Sequence, residues 1–217
     1  WEVAPARGRG DDLPAAAAAV DLLVIATPDG AIPEVAAAVA PSEAVVVVHL
    51  SGALGADVLT PHPRRAPIHP LVALPSAELG AARLLAGATF ALAAEGDALG
   101  AEVVADLGGH PIVVADGDRA RYHAAACIAS NPPAAPLGQA ARVAALAGVP
   151  LDAYLGLVRG TVDNVAALGP AGALTGPAAR GDWATIDRHL AALPDDEHDT
   201  YQAMVAAARR LVEDGAP

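Results

Sequence analysis

The residues best equipped for chemistry cluster in Asp118-Arg-Ala-Arg-Tyr-His-Ala-Ala-Ala-Cys-Ile-Ala-Ser-Asn131. Asp118 is placed to cap a helix, accepting from the first free backbone N–H groups. That helix sets Arg119, His123, Cys127, Ser130 and Asn131 along one stripe, at spacings of three and four residues. An imidazole moves protons near neutral pH. A hydroxyl and an amide beside it orient a reacting oxygen. The opposite side, Ala124, Ala125 and Ile128, suits packing. Two readings stand at this point: a solvated polar face, or a catalytic face turned into an interdomain cleft.

Other candidates fall at the ends of predicted strands. Thr27-Pro28-Asp29 follows the apolar run Leu22–Ala26. His49, Ser51 and Gly52 follow Ala44-Val-Val-Val-Val48, and His69-Pro70 follows Ala66–Ile68. Ligands of open parallel sheets bind beyond the carboxyl ends of the strands. Gly52 would let a flat ring approach the backbone, and Ser51 would donate a hydrogen bond to it.

The elements that must position these groups alternate. Uninterrupted apolar runs of strand length mark strands covered on both faces. Helices are predicted over Ile32–Ala40, Ala77–Leu85 and from Asp97 to the stop at Gly108-Gly109. Trp1-Glu-Val-Ala4 reads as the end of a short strand, and Pro111–Ala115 as the last one. Alternation implies parallel pairing with right-handed crossovers. The fold class is therefore α/β: a Rossmann-like, doubly wound parallel sheet over residues 1–115. An all-α domain over 116–217 follows, with helices near 118–131, 137–147, 151–168, 183–193 and 199–213.

Composition excludes several classes. The 217 residues carry a net charge of −12, and all 13 cationic side chains are Arg. Such a chain lacks the basic footprint of a nucleic-acid or anionic-membrane binder. No apolar run reaches the ~20 residues of a membrane span. Seven scattered His and a single Cys make no metal-ligand pattern, and no Gly-x-Ser-x-Gly elbow is present. The lone Cys127 permits a reducing compartment, and a cytoplasmic protein is expected.

A Rossmann-like sheet binds dinucleotides through G-x-G-x-x-G after its first strand, and that fingerprint is absent here. If Trp1–Ala4 is the second strand, the glycine loop lies upstream and the chain is a fragment. The loop after the second strand selects the cofactor. Here it offers Arg7 and Arg9 and no acid before Asp11, which points to NADP over NAD.

Several longer stretches carry a resemblance. They are Val20–Asp29, Val48–Gly52, Ile68–Leu71, Tyr122–Asn131, Thr161–Asn164 and Ala173–Asp182. Through them the chain resembles the Rossmann-like oxidoreductase family whose C-terminal half is a domain of unknown function, the 2520 domain. Its relatives are ketopantoate reductase, pyrroline-carboxylate reductase and prephenate dehydrogenase. The resemblance implies NADP-dependent hydride transfer and a homodimer joined through the helical domain. One departure is that Pro132, Pro133 and Pro136 follow Asn131, so the helix should stop or kink there.

The expected function is hydride transfer to or from a small carboxylated metabolite. The nicotinamide is expected over Thr27-Pro28, Asp29 and Ser51-Gly52, with Arg7 and Arg9 on the phosphate side. His69 or His123 is the expected proton donor, and Asn131 and Ser130 are expected to orient the substrate oxygen. Tyr122, Asn164 and Arg180 are the remaining expected substrate contacts. Arg180 is also placed to pair with Asp182, which should cap the helix from Trp183. The alternatives are a non-catalytic dinucleotide-binding or assembly module, and an inactive truncated chain.

Overall fold

The computed structural model describes residues 1–214. The chain divides into two compact units, the first over Trp1–Ser130 and the second beginning at Asn131. This differs from the expected boundary at 115/116. The helix after the last strand belongs with the sheet, because its side chains pack onto the loops at the strand ends.

The first unit holds two three-stranded ladders. In one, β1 (Leu22–Ile25), β2 (Val46–His49) and β3 (Arg64–Arg65) pair in parallel in that order. In the other, β4 (Ile68–Pro70), β5 (Thr89–Ala93) and β6 (His110–Val114) are neighbours in sequence order. β5 and β6 run parallel, but β4 runs antiparallel to β5, so the all-parallel expectation fails at β4. β4 follows β3 after only Ala66-Pro67. β4 and β5 are joined by residues 71–88, long enough for a parallel crossover, so chain length does not dictate their antiparallel pairing.

The valine run explains the centre. Val46, Val47 and Val48 of β2 are all at most 1% exposed, because both faces of the strand are covered. Val45 and Val47 pack with Ile25, Ile32, Ala36, Val39 and Leu59. Val46 and Val48 pack the other way, with Ala66, Ile68, Phe90 and Val104. Each such side chain contributes roughly 1.5–3 kcal/mol on full burial. The covering helices are α1 (Ile32–Ala38), α2 (Ala77–Leu84) and α3 (Ala98–Asp106). Ser76 caps α2 and Asp97 caps α3, each accepting from a backbone N–H of the first turn.

Residues 1–4, expected as a strand, are exposed and belong to no strand. No ladder partner pairs with them among the described residues, and an unpaired segment has nothing to hold it extended. The Trp1 indole instead donates to Asp106 at the end of α3.

A 3-10 turn over Asp116–Asp118 leads directly into α4 (Arg119–Ser130). Asp118, expected as the cap, is the last residue of that turn, and its carboxylate pairs with Arg121 at 2.8 Å. α4 ends at Ser130, where the sequence places Pro132 and Pro133.

The second unit is helical: α5 (Ala134–Leu146), α6 (Asp152–Ala173), α7 (Pro177–Arg180), α8 (Trp183–Ala192) and α9 (His198–Asp214). α6 was expected to end at 168. It breaks there: Gly169 adopts φ 73° ahead of Pro170, and the helix resumes beyond. A positive φ at this point favours glycine, and proline would clash with the preceding turn. Arg142 of α5 forms a two-pronged pair with Glu197, and the Gln139 amide donates to the Glu197 carbonyl at 2.8 Å. The Arg142 guanidinium holds the Glu197 carboxyl below its ordinary range.

Candidate active site

The carboxyl ends of β1 and β2 are joined by side chains. Ser51 donates from its hydroxyl to Asp29 at 2.7 Å. The same oxygen accepts from the backbone N–H groups of Ala53 and Leu54. His49, buried at the end of β2, accepts on Nδ1 from Ser51 N–H. Its Nε2 must then carry the proton and donate to the Gly55 carbonyl at 3.0 Å. Burial pushes this ring below the usual imidazole range, against the opposing pull of that bond to Gly55. His49 is thus a structural hydrogen-bonder, and Ser51-Gly52 is a fixed loop.

Gly52 is buried, and the close approach it permits is to two imidazoles rather than to a flat ligand. A Cβ here would meet His123 Cδ2 at 2.6 Å and His69 Cε1 and Nε2 at 2.9 Å. His69 lies in β4, beyond the short β3–β4 link, and His123 lies one turn into α4. Their rings meet edge to face, with centroids 5.8 Å apart. Tyr122 completes the cluster, its hydroxyl 2.7 Å from His69 Nδ1. Burial, reinforced by His123 and then by the Arg119 charge, pushes His69 down to about 4, while Asp29 pulls the other way. Burial also raises the Tyr122 phenol, with Arg119 opposing. His69 is therefore neutral at neutral pH. Cys127 Sγ lies 3.7 Å from His123 Nε2, one turn further along α4.

From Arg119 to Cys127 the polar stripe of α4 is the covered side of that helix; Ser130 and Asn131 beyond it are exposed. Arg119 is 0% exposed, whereas Ile128, expected to pack, is 68% exposed and Ala124 and Ala125 are exposed too. The solvated-face reading fails for Arg119, which is buried, and for His123 and Cys127, which are partly covered. One acid fixes the surroundings: Asp116 Oδ2 accepts from Ala56 N–H at 2.8 Å, and its Oδ1 faces Arg119 Nε at 3.4 Å.

The other expected residues lie elsewhere. Thr27 is half-buried, its hydroxyl oxygen is fully buried without a hydrogen-bond partner, and Pro28 is exposed beside it. Arg7 donates to the carbonyl of Asp12, and Arg9 is exposed in a turn. Neither follows a strand, which removes the strand-end argument for their cofactor role. Ser130 donates back to the Ala126 carbonyl. It stands seven residues beyond His123, about 10 Å along the helix axis. Asn131 opens the second unit. There, Asn164 lines a hollow of about 440 Å³ along α6, with Gly156, Leu157, Gly160 and Thr161. No titratable group lines it, so acid–base chemistry does not centre there. Arg180 is exposed; the Asp182 carboxylate takes both the N–H and the hydroxyl of Thr185 instead, as the cap of α8.

Sequence patterns had not singled out Arg119 beyond its place on the stripe, nor Asp116 at all. The one available signal was the pairing of an acid and Arg at the start of α4. No three His, Cys, Asp or Glu side chains converge as a metal site among the described residues.

Comparison with known proteins agrees with this architecture. A Rossmann-like domain model matches residues 10–75. A Thermotoga maritima protein of known structure is 28% identical, with a TM-score of 0.70 over 88% of this chain and 78% of that one. The provisionally named NADP oxidoreductase of Bacteroides fragilis is 23% identical, with a TM-score of 0.75 over 92% and 79%. The reductive aminase of Aspergillus terreus, solved with NADPH and ethyl levulinate, is 19% identical, with a TM-score of 0.64 over 94% and 77%. These last two, at such identities, share the fold. No curated protein matches. A model described as a domain of unknown function, DUF2520, matches residues 88–208, more than half of the sequence, and the chain belongs to that family.

Proposed function

We propose that the chain is an NADP-dependent oxidoreductase that moves a hydride to or from the carbonyl or imine carbon of a small carboxylated metabolite. The observation that carries this reading is the packing of His69, Tyr122 and His123 around Gly52, at the carboxyl edge where such sheets take ligands. The unpartnered Thr27 hydroxyl at the end of β1 fits a cofactor amide or ribose hydroxyl as its partner. Structural relatives named or solved with NADP(H) support the choice of nucleotide.

When bound, NADPH supplies the hydride that forms the new C–H bond. The chain's residues divide the remaining work. His69, neutral and held by Tyr122, offers an N–H to the substrate oxygen or nitrogen. His123 hands over the proton as the π pair moves to that atom. Thr27, Pro28 and Asp29, with Ser51 fixing the Asp29 carboxylate, hold the nicotinamide face. Ser130, at the end of α4, remains a candidate substrate contact. Among the described residues no helix is long and apolar enough to cross a membrane. We place the protein in the cytoplasm, as a homodimer. Leu157 and Leu168 of α6, eleven residues apart on one side of the helix and each more than 60% exposed, supply an apolar face for that contact.

The test is titration with NADPH and NADH, followed by a panel of 2-oxo acids and carboxylated imines. Binding of NADPH at least about tenfold tighter, a difference of ~1.4 kcal/mol, with turnover that falls on His123→Ala, supports the reading. Failure to bind either nucleotide overturns it and leaves an assembly module as the alternative.

A further inference from the structure

We propose that Arg119 is a positioning residue, a fixed buried cation that holds His69 in its neutral form while Tyr122 selects which ring nitrogen keeps the proton. The inference uses the site assigned above, but not its reaction.

Among the described residues Arg119 is the largest fully buried side chain. A buried guanidinium ordinarily spends its five donors on acids and carbonyls. Here the one ion pair is Nε with Asp116, at a long 3.4 Å. Asp116 is itself 45% exposed and already accepts from the Ala56 N–H. Both terminal nitrogens of Arg119 are buried without a hydrogen-bond partner. Little therefore neutralises the charge locally, and a buried charge acts over a longer range than a solvated one. Burying it is expensive, which makes a merely structural role a poor account of it.

Helix spacing sets the charge beside the groups that touch His69. Arg119 stands one turn before Tyr122 and His123 on α4, so all three project from one side of the helix. The charged and titratable groups facing His69 are Asp29 from the loop after β1, and Arg119, Tyr122 and His123 from α4. Asp29 alone favours a second proton on His69, and its carboxylate is engaged with Ser51. A ring held neutral is the better acceptor for the Tyr122 hydroxyl. That bond occupies Nδ1 and leaves the proton on Nε2, the atom facing Gly52. The lowered protonation of His69, caused first by burial and then by His123 and Arg119, agrees with this arrangement.

The experiment is an imidazole nitrogen and carbon NMR titration of the whole chain, with His69 assigned through His69→Gln. In the wild type near neutral pH, His69 is expected uncharged, with its proton on Nε2. In Arg119→Met its midpoint should rise by on the order of one unit, while Arg119→Lys should keep it low. A charged His69, a proton on Nδ1, or a folded Arg119→Met with an unmoved midpoint overturns the proposal. If Arg119→Met does not fold, an Arg119→Lys midpoint in the ordinary imidazole range overturns it equally. No nucleotide enters these measurements. Failure of nucleotide binding would remove the reductase reading and leave this one standing, and the converse also holds.

Discussion

The Tyr122 hydroxyl lies 2.7 Å from Nδ1 of His69, joining the first turn of α4 to the antiparallel strand β4 across 53 residues of sequence. This bond orients the imidazole, and the ring in turn packs on Gly52. Tyr122→Phe keeps the aromatic edge contact with His69 and removes only the hydroxyl. Turnover should fall about 10- to 100-fold, with the melting temperature and NADPH affinity nearly unchanged. Steady-state kinetics beside a thermal melt separate these effects. Wild-type turnover in the variant would remove Tyr122 from the chemistry.

The depressed protonation of His69 makes stability depend on pH. Its ring takes up a proton near 4 in the folded protein, against 6.5 when unfolded. Between those values the unfolded chain binds the extra proton and the folded chain does not. The contribution is fully present above 6.5, is lost as pH falls through the window, and levels off below about 4. At 1.36 kcal/mol per unit the effect is at most about 3 kcal/mol, reduced because the ring is only half-buried. His49, lowered by burial, acts in the same direction. Urea melts across the window should show the decline, and His69→Gln should flatten it.

Gly52→Ala tests the packing at the centre of the site. The added methyl would stand 2.6–2.9 Å from both imidazoles, so one ring must move. A loss of about 1–3 kcal/mol is expected, along with most of the turnover. Denaturant melts and kinetics read both. An unshifted melt with full activity would mean that the rings give way freely and that the cluster is not a fixed site.

The exposed apolar side of α6 predicts self-association. Leu157→Asp and Leu168→Asp place charges on residues 71% and 64% exposed, so neither should disturb the folding of the chain. Sedimentation should show the wild type as a dimer and the double variant as a monomer. A monomeric wild type would leave that face without its assigned partner.

The sequence by itself determined what depends on near neighbours. The valine run made β2 a doubly covered strand, because a β-branched stretch without polar interruption is stable only inside a sheet. Asp97 and Asp182 announced their helices because capping is settled within three residues. The prolines after Asn131 ended α4, and Gly169-Pro170 broke α6 close to residue 168, where the pattern stopped. His69 and His123 were legible as candidates from strand-end and helix-stripe positions.

Only the tertiary structure decided which groups meet. The antiparallel pairing of β4 with β5, across residues 71–88, is a long-range choice that apolar periodicity does not register. The strand expected at residues 1–4 failed for want of a pairing partner, which no local pattern supplies. The stripe on α4 could be solvated or covered on sequence grounds; packing onto the strand-end loops buried Arg119 and left Ile128 outside. Gly52 looked like space for a ligand and proved to be space for two imidazoles. Contacts between residues some 50 to 70 positions apart depend on the whole chain closing around its core. The neutral state of His69 follows from that closure, because burial and neighbouring charge arise only once the chain has folded.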